Sequence, residues 1–305
     1  MLTDSSVTAQ SGGKTTVESE SSHRQTVLLD TAIGLFLLTR PWNVFLIGLA
    51  VLAGALIGPD PVDSWTTLGR AALTLCLIAA GGYALNDVFD VGSDRVNKPL
   101  RPLVRGAVGM PAAAFWAVLY LAAGAATAAS LPSTCFSISL MLLGMVVLYD
   151  VWGKGQPLVG NLMTSIMVSS AFPVGSLAGG QGWWGLVPGV LAFLLYVPME
   201  ILKDLEDMPG DSVKGYRTLP LVIGEQIARR LAQLVLIILL LILPFPVIQG
   251  WMGPGYLAVA ILGVGIPIAA LIWRLNLHED AAGYKGHARI IKRCVVTGLL
   301  ALLIG

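Results

Sequence analysis

The chain has 305 residues, 55% of them hydrophobic and 12% charged, about half the charge content of a soluble domain, which argues against a water-soluble globule. Its 19 Lys and Arg against 18 Asp and Glu leave a formal charge of +1, too little to hold nucleic acid through a net field or to keep the chain disordered. Cys76, Cys135 and Cys294 each stand alone in apolar sequence, so neither a disulfide framework nor a thiolate metal site is expected.

In chain order, residues 1–27 are rich in Ser, Thr, Gln and Gly without an apolar run. They are expected to form a flexible tail ahead of a domain at 28–305. Nine apolar segments follow, at 31–58, 67–91, 111–131, 134–151, 157–179, 184–206, 225–250, 254–274 and 287–304. Most have the length that carries a helix across about 30 Å of hydrocarbon. Turn clusters separate several of them, at Pro59-Asp60-Pro61, Leu131-Pro132-Ser133, Gly180-Gln181-Gly182 and Gly253-Pro254-Gly255. A transmembrane β-barrel would show short alternating segments instead. The expected fold is therefore all-α, a multi-pass bundle in the lipid bilayer.

Basic residues are lopsided between the connecting loops. Arg95, Lys98, Arg101 and Arg105 follow the second segment, Lys154 the fourth, Lys214 and Arg217 the sixth, and Lys285 the eighth; the opposite loops have only Arg70 nearby. Lys and Arg accumulate on the cytoplasmic side, which predicts a cytoplasmic N-terminus. Trp183, Trp184 and Trp251 are expected in the opposite interfacial belt.

The second segment ends in Asn86-Asp87-Val88-Phe89-Asp90 and continues to Asp94. Asn86, Asp90 and Asp94 recur every four residues, so a helix puts them on one face with Asp87 alongside. Like charges repel at that spacing and ionisable groups are costly at a membrane helix end, so a functional role is expected. After the sixth segment comes Lys203-Asp204-Leu205-Glu206-Asp207-Met208-Pro209-Gly210-Asp211. Asp204 and Asp207 share a helical face, while Pro209-Gly210 is expected to end the helix and leave Asp211 on a turn.

Both acidic sets open to the same compartment. Mg²⁺ takes hard oxygen ligands and commonly bridges one or two carboxylates to substrate phosphates, so the two sets fit a magnesium-held diphosphate. Arg95, Lys98, Arg101, Arg105, Lys154, Lys203 and Arg217 are candidates for the remaining phosphate oxygens. Arg40, beside Pro41 and Asn43 inside the first segment, requires an anionic partner or a water-filled cavity. Tyr149, Lys154 and Asn161 flank the same mouth.

The run Asn86-Asp87-x-x-Asp90-x-x-x-Asp94-x-x-Asn97-x-Pro99-x-Arg101-Pro102 resembles the first aspartate-rich motif of the UbiA superfamily of intramembrane prenyltransferases. Lys203-Asp204-x-x-Asp207-x-x-Gly210-Asp211, followed by Gly215-x-x-Thr218-Leu219-Pro220, resembles the second. Arg40-Pro41-x-Asn43 and Gly160-Asn161 also fit. The pattern is most similar to geranylgeranylglyceryl phosphate geranylgeranyltransferase-like and chlorophyll-type members, with Arg105 and Pro209 as departures.

The resemblance implies about nine helices around a central cavity under a cytoplasmic polar cap. It further implies Mg²⁺-dependent ionisation of an isoprenyl diphosphate, with transfer of the prenyl group to a lipophilic or aromatic acceptor. Asn86, Asp87, Asp90 and Asp94 would hold one magnesium and Asp207 and Asp211 the other, with Asp204 nearby; Asp90, Asp94, Asp207 and Asp211 are the expected catalytic carboxylates. Arg40, Lys98, Arg101, Tyr149 and Lys154 would contact diphosphate, joined by Asn43, Arg105, Lys203 and Arg217. A terpene cyclase of the same superfamily is the alternative, for which a closed aromatic cavity involving Phe89, Trp152, Phe193 or Tyr196 would argue. A transporter is disfavoured, since its charges belong at the midplane rather than at one face.

Overall fold

The computed structural model describes residues 28–277 and 281–305; the expected tail at 1–27 lies outside them. Every described element of regular structure is helical. Each of the nine apolar segments becomes helix, though not always one helix. The first divides into α1 (28–38) and α2 (Pro41–Leu56). There follow α3 (Trp65–Asn97), α4 (Met110–Ala128) and α5 (Ser133–Val151). The fifth segment divides into α6 (Val159–Ser169) and α7 (Ala171–Ala178). The long α8 (Leu186–Lys214) and short α9 (Leu219–Ile223) lead to α10 (Glu225–Ile242) and α11 (Phe245–Ile248). α12 (Pro254–Ala260), a π turn (Ile261–Gly265) and α13 (Ile266–Arg274) make one continuous rod before α14 (Ala281–Ile304).

Among the described residues, seven helical stretches are long and apolar enough to cross a membrane. Two of the nine segments fall outside that set. One is α6–α7, interrupted at Ser170; the other is α14, which carries Lys285, Arg289, Lys292 and Arg293 within its first 13 residues.

The breaks follow from proline chemistry, because proline lacks the N–H that would bond the carbonyl four residues back. Pro173 leaves Ser169 without that donor, and the chain bends at Ser170, whose hydroxyl bonds the Ile166 carbonyl at 2.7 Å. Pro267 frees the Gly263 carbonyl, which accepts a 2.6 Å bond from the Thr297 hydroxyl of α14. At Pro41 the preceding Arg40 adopts φ 50°, ψ 63°, a left-handed conformation that costs a non-glycine residue about 1–2 kcal/mol.

In a bilayer the helix contacts are set by close packing rather than by exclusion of water, and small residues permit the tightest approach. α2 and α7 meet through Gly54 and Gly175. A Cβ at Gly54 would lie 2.1 Å from the Phe172 carbonyl oxygen and one at Gly175 would lie 1.9 Å from that of Val51, so any larger residue forces the pair apart. The outer surface is apolar, with Phe115 and Val118 on α4 and Leu241 on α10 all exposed, the inverse of a soluble protein. Trp251 packs edge-on against Trp184 and Phe245 at 5.2 and 5.5 Å.

α8 touches α3, α6, α10 and α14 and so runs through the middle of the bundle. Beside it lies an apolar cavity lined by residues that include Leu46, Phe172, Leu191, Tyr196, Tyr256 and Leu299.

Candidate active site

One face of α8 joins that cavity to the acidic motifs. Leu195 and Tyr196 line the cavity. One turn on, Glu200 and Asp204 line a small polar pocket together with Tyr149, Lys154, Gln156, Gly160 and Asn161. A further turn leads to Asp207 and Asp211. Apolar lining, polar pocket and carboxylates thus succeed one another at the helical repeat.

The first motif is helical throughout, since α3 runs six residues past the expected end of its segment to Asn97. Asp87, Asp90 and Asp94 are all buried and each meets a cation. Asp87 Oδ1 accepts from Arg40 Nη2 at 2.8 Å and from Arg101 Nη1 at 2.6 Å, and Arg101 Nη1 also reaches Asp94 Oδ2 at 2.6 Å. Asp90 accepts from Lys154 through Oδ2 and pairs with Lys214 through Oδ1 at 3.5 Å. Burial works against the Lys154 charge, but Tyr149 and Asp90 beside it raise its pKa above the ordinary lysine value. It therefore stays protonated.

The second motif departs from expectation at Pro209. The helix does not end there; α8 continues to Lys214, so Asp211 is helical and buried instead of lying on a turn. Asn97 from the other motif makes this continuation feasible. The Gly210 N–H donates to Asn97 Oδ1 at 3.0 Å, and Asn97 Nδ2 donates to the Asp207 carbonyl at 2.9 Å. Asn97 thus ties the α8 backbone to α3 on both sides of Pro209. A Cβ at Gly210 would lie 2.4 Å from Asn97 Nδ2, which is why glycine serves here. Asp207 pairs with Lys98 through Oδ2, while its buried Oδ1 has no hydrogen-bond partner. Asp204 accepts from Asn161 Nδ2 at 2.8 Å. Asp211 feels the charges of Lys154, Asp207 and Asp90, so the two motifs share one electrostatic space.

Of the expected diphosphate contacts, Arg40, Lys98, Arg101 and Lys154 converge on the carboxylates and Tyr149 on the polar pocket beside them. Four others sit elsewhere. Arg105 pairs with Asp30 at 2.9 Å in an exposed bridge. Lys203 binds Glu200 at 2.6 Å. Asn43 accepts from Lys292 at 2.7 Å. Arg217 is exposed, its backbone N–H bonded to the Gly155 carbonyl at 3.2 Å. Arg105 and Asn43 are held by partners away from the carboxylates, and Lys203 pairs with an acid of the polar pocket rather than with either motif. Among the aromatic candidates only Tyr196 lines the cavity; Phe89 and Trp152 are exposed, and Phe193 packs on the core around α8 and α10.

Three participants escape the sequence reading. Lys214 reaches Asp90. Glu200 and Asp150 are buried acids, at 7% and 5% exposure. Asp150 closes an apolar segment, the same signal that draws attention to Asp90.

The donor set is entirely oxygen, as a hard cation requires, and the unpartnered Asp207 Oδ1 is an atom such a cation would satisfy. Among the described residues no three carboxylates close on one point, because Arg101, Lys154 and Lys98 lie against them. A metal here would have to share carboxylates that now pair with these cations.

The model of the UbiA prenyltransferase family matches residues 47–290. The digeranylgeranylglyceryl phosphate synthase of Methanopyrus kandleri is 35% identical over 266 residues, 87% of this chain and 96% of that protein. A solved structure described as giving insight into digeranylgeranylglyceryl phosphate synthase in membranes superposes with a TM-score of 0.70 at 23% identity, covering 90% of this chain and 98% of the other. A UbiA homologue from Archaeoglobus fulgidus bound to DMAPP and Mg²⁺ has a TM-score of 0.58 at 19% identity, over 88% of this chain and 98% of the other.

Proposed function

The chain belongs to the UbiA prenyltransferase family, and on that premise we propose that it ionises an isoprenyl diphosphate with Mg²⁺ and transfers the prenyl group to a lipophilic isoprenyl-glyceryl phosphate. The observation that carries the reading is the single face of α8 that runs from an apolar cavity through a polar pocket to interleaved carboxylates and cations.

Asn86, Asp87, Asp90 and Asp94 would hold one metal ion, and Asp207 and Asp211, with Asp204 beside them, the other. When bound, Mg²⁺ neutralises charge that builds on the diphosphate as the carbon–oxygen bond breaks. Arg40, Lys98, Arg101 and Lys154, which lie against these carboxylates, would hold the phosphate oxygens, the arginines as planar forks and the lysines as point charges.

The isoprenoid tail lies in the cavity, whose lining of Leu46, Ile47, Leu191, Leu195 and Leu299 is the apolar surface such a chain requires. Its aliphatic walls keep water from the allylic cation. The acceptor hydroxyl enters the polar pocket, where Glu200 and Asp204 are the acids in reach to take its proton. A polar pocket beside a largely aliphatic cavity favours transfer over cyclisation, which would draw on aromatic faces to stabilise successive cations. The gathering of Lys and Arg at the site's end of the bundle supports a cytoplasmic mouth.

The test is a product assay on purified protein in detergent with Mg²⁺ and geranylgeranyl diphosphate, with and without geranylgeranylglyceryl phosphate. Prenylated product only with the acceptor is the expected result. A cyclic hydrocarbon or alcohol formed without it would overturn the reading.

A further inference from the structure

Asn86 opens the first acidic motif, and its amide has two different ends. The carbonyl oxygen can ligate a hard cation; the NH₂ cannot. An asparagine that presents the wrong end would place two donors where an oxygen is wanted. What sets its orientation lies on another helix. Asn86 Oδ1 accepts from Arg40 Nη2 at 3.2 Å, and Asn86 Nδ2 donates to Asp150 Oδ1 at 3.0 Å across to the last turn of α5.

These partners leave no freedom. A guanidinium only donates, so the end facing Arg40 is the oxygen. A carboxyl group offers an acceptor oxygen in either protonation state, so the end facing Asp150 is the nitrogen. Asp150 is buried at 5% exposure and 64 residues along the chain from Asn86. If Arg40 turns to a diphosphate, only Asp150 still holds the amide with its oxygen toward Asp87.

The geometry points to Asp150 as a positioning residue that fixes the Asn86 amide and thereby presents Oδ1 to the cation of the first motif. This inference rests on the metal reading proposed above. Groups that orient a ligand without touching the metal commonly account for about 10–100-fold in metal affinity.

The experiment measures Mn²⁺ binding by electron paramagnetic resonance to the full chain in detergent, with inorganic pyrophosphate present and no turnover. Mn²⁺ serves as the hard, oxygen-preferring stand-in for Mg²⁺. Asp150→Ala is expected to weaken binding by about tenfold or more. Asp150→Asn keeps an acceptor oxygen for the Asn86 amide and is expected to bind nearly as the parent does; as the closest isostere it also carries the test if Asp150→Ala does not fold. In an Asn86→Ala background, Asp150→Ala is expected to change nothing further.

Undiminished binding by Asp150→Ala overturns the inference, as does a full additional loss in the Asn86→Ala background. Binding lost equally in Asp150→Asn and Asp150→Ala also overturns it, since that would make the Asp150 charge itself the ligand. Failure of the parent chain to bind Mn²⁺ would instead strike down the metal reading, and this inference with it.

Discussion

The ends of α3 and α8 carry comparable sets of carboxylates, but they are held in different ways. On α3 the three aspartates are buried and every one is paired: Asp87 with two arginines, Asp90 with two lysines, Asp94 with Arg101. On α8, Asp204 has a neutral amide partner, Asp207 has one lysine and an oxygen without a hydrogen bond, and the helix itself is held past Pro209 by a side chain from α3. The α3 end is a closed electrostatic network. The α8 end is shaped by that network and keeps acceptor capacity in reserve.

The largest effect follows from breaking each end in turn. Asp90→Ala and Asp207→Ala are both expected to lower turnover by about 100-fold or more, the scale seen when a group that stabilises developing charge is removed. They part company in stability. Asp90→Ala strands Lys154, whose side chain is 21% exposed, and loss of one partner of such a pair costs about 3 kcal/mol. Asp207→Ala leaves Lys98, 30% exposed, free to turn to water at little cost. Thermal unfolding in detergent reads the difference, and equal losses would erase the distinction between the two ends.

The next effect tests the link between them. Asn97→Ala removes one donor and one acceptor for the α8 backbone, a loss of about 1–2 kcal/mol. Because it displaces Asp207 and Asp211 relative to α3, turnover is expected to fall by about tenfold or more. Gly210→Ala is expected to do at least as much damage, since its Cβ collides with Asn97. Kinetics on the two variants that match the parent would show that the ends act independently.

A smaller change moves the comparison away from the acids. Ala192 lines the apolar cavity, and Ala192→Phe is expected to shift preference toward shorter isoprenyl diphosphates by about tenfold, read by competition between geranyl and geranylgeranyl diphosphate. An unchanged preference would place the tail elsewhere. The smallest effect belongs to Arg105→Ala. Its bridge to Asp30 is exposed at both ends, 39% and 48%, so stability should move by less than about 1 kcal/mol and turnover should barely change. A large loss of turnover would return Arg105 to the site.

What could be read in the sequence follows the range of the interaction. Asn86, Asp87, Asp90 and Asp94 lie on a common helix, where a spacing of four determines a common face whatever else the chain does. The apolar segments are likewise local: all nine are helical, and length with hydropathy qualifies seven described stretches to cross a bilayer, α6–α7 and α14 falling outside that measure. The same reasoning misjudged Pro209, because the donor and acceptor that carry the helix past it come from Asn97, 113 residues from Gly210. Charge or polarity alone also could not tell that Arg105 and Asn43 pair with Asp30 and Lys292, or that Lys203 pairs with Glu200 of the polar pocket.

The sequence by itself determined that this prenyltransferase is a helical bundle in a membrane and that two sets of carboxylates stand at helix ends, because hydropathy and helical period act over one or two turns. Only the tertiary structure decided which cation meets which acid, that Asp150 and Glu200 join them, and that one face of α8 leads from the apolar cavity to the charges. Those pairings span distances such as the 47 residues between Arg40 and Asp87. No local rule reaches that far; the close packing of helices does.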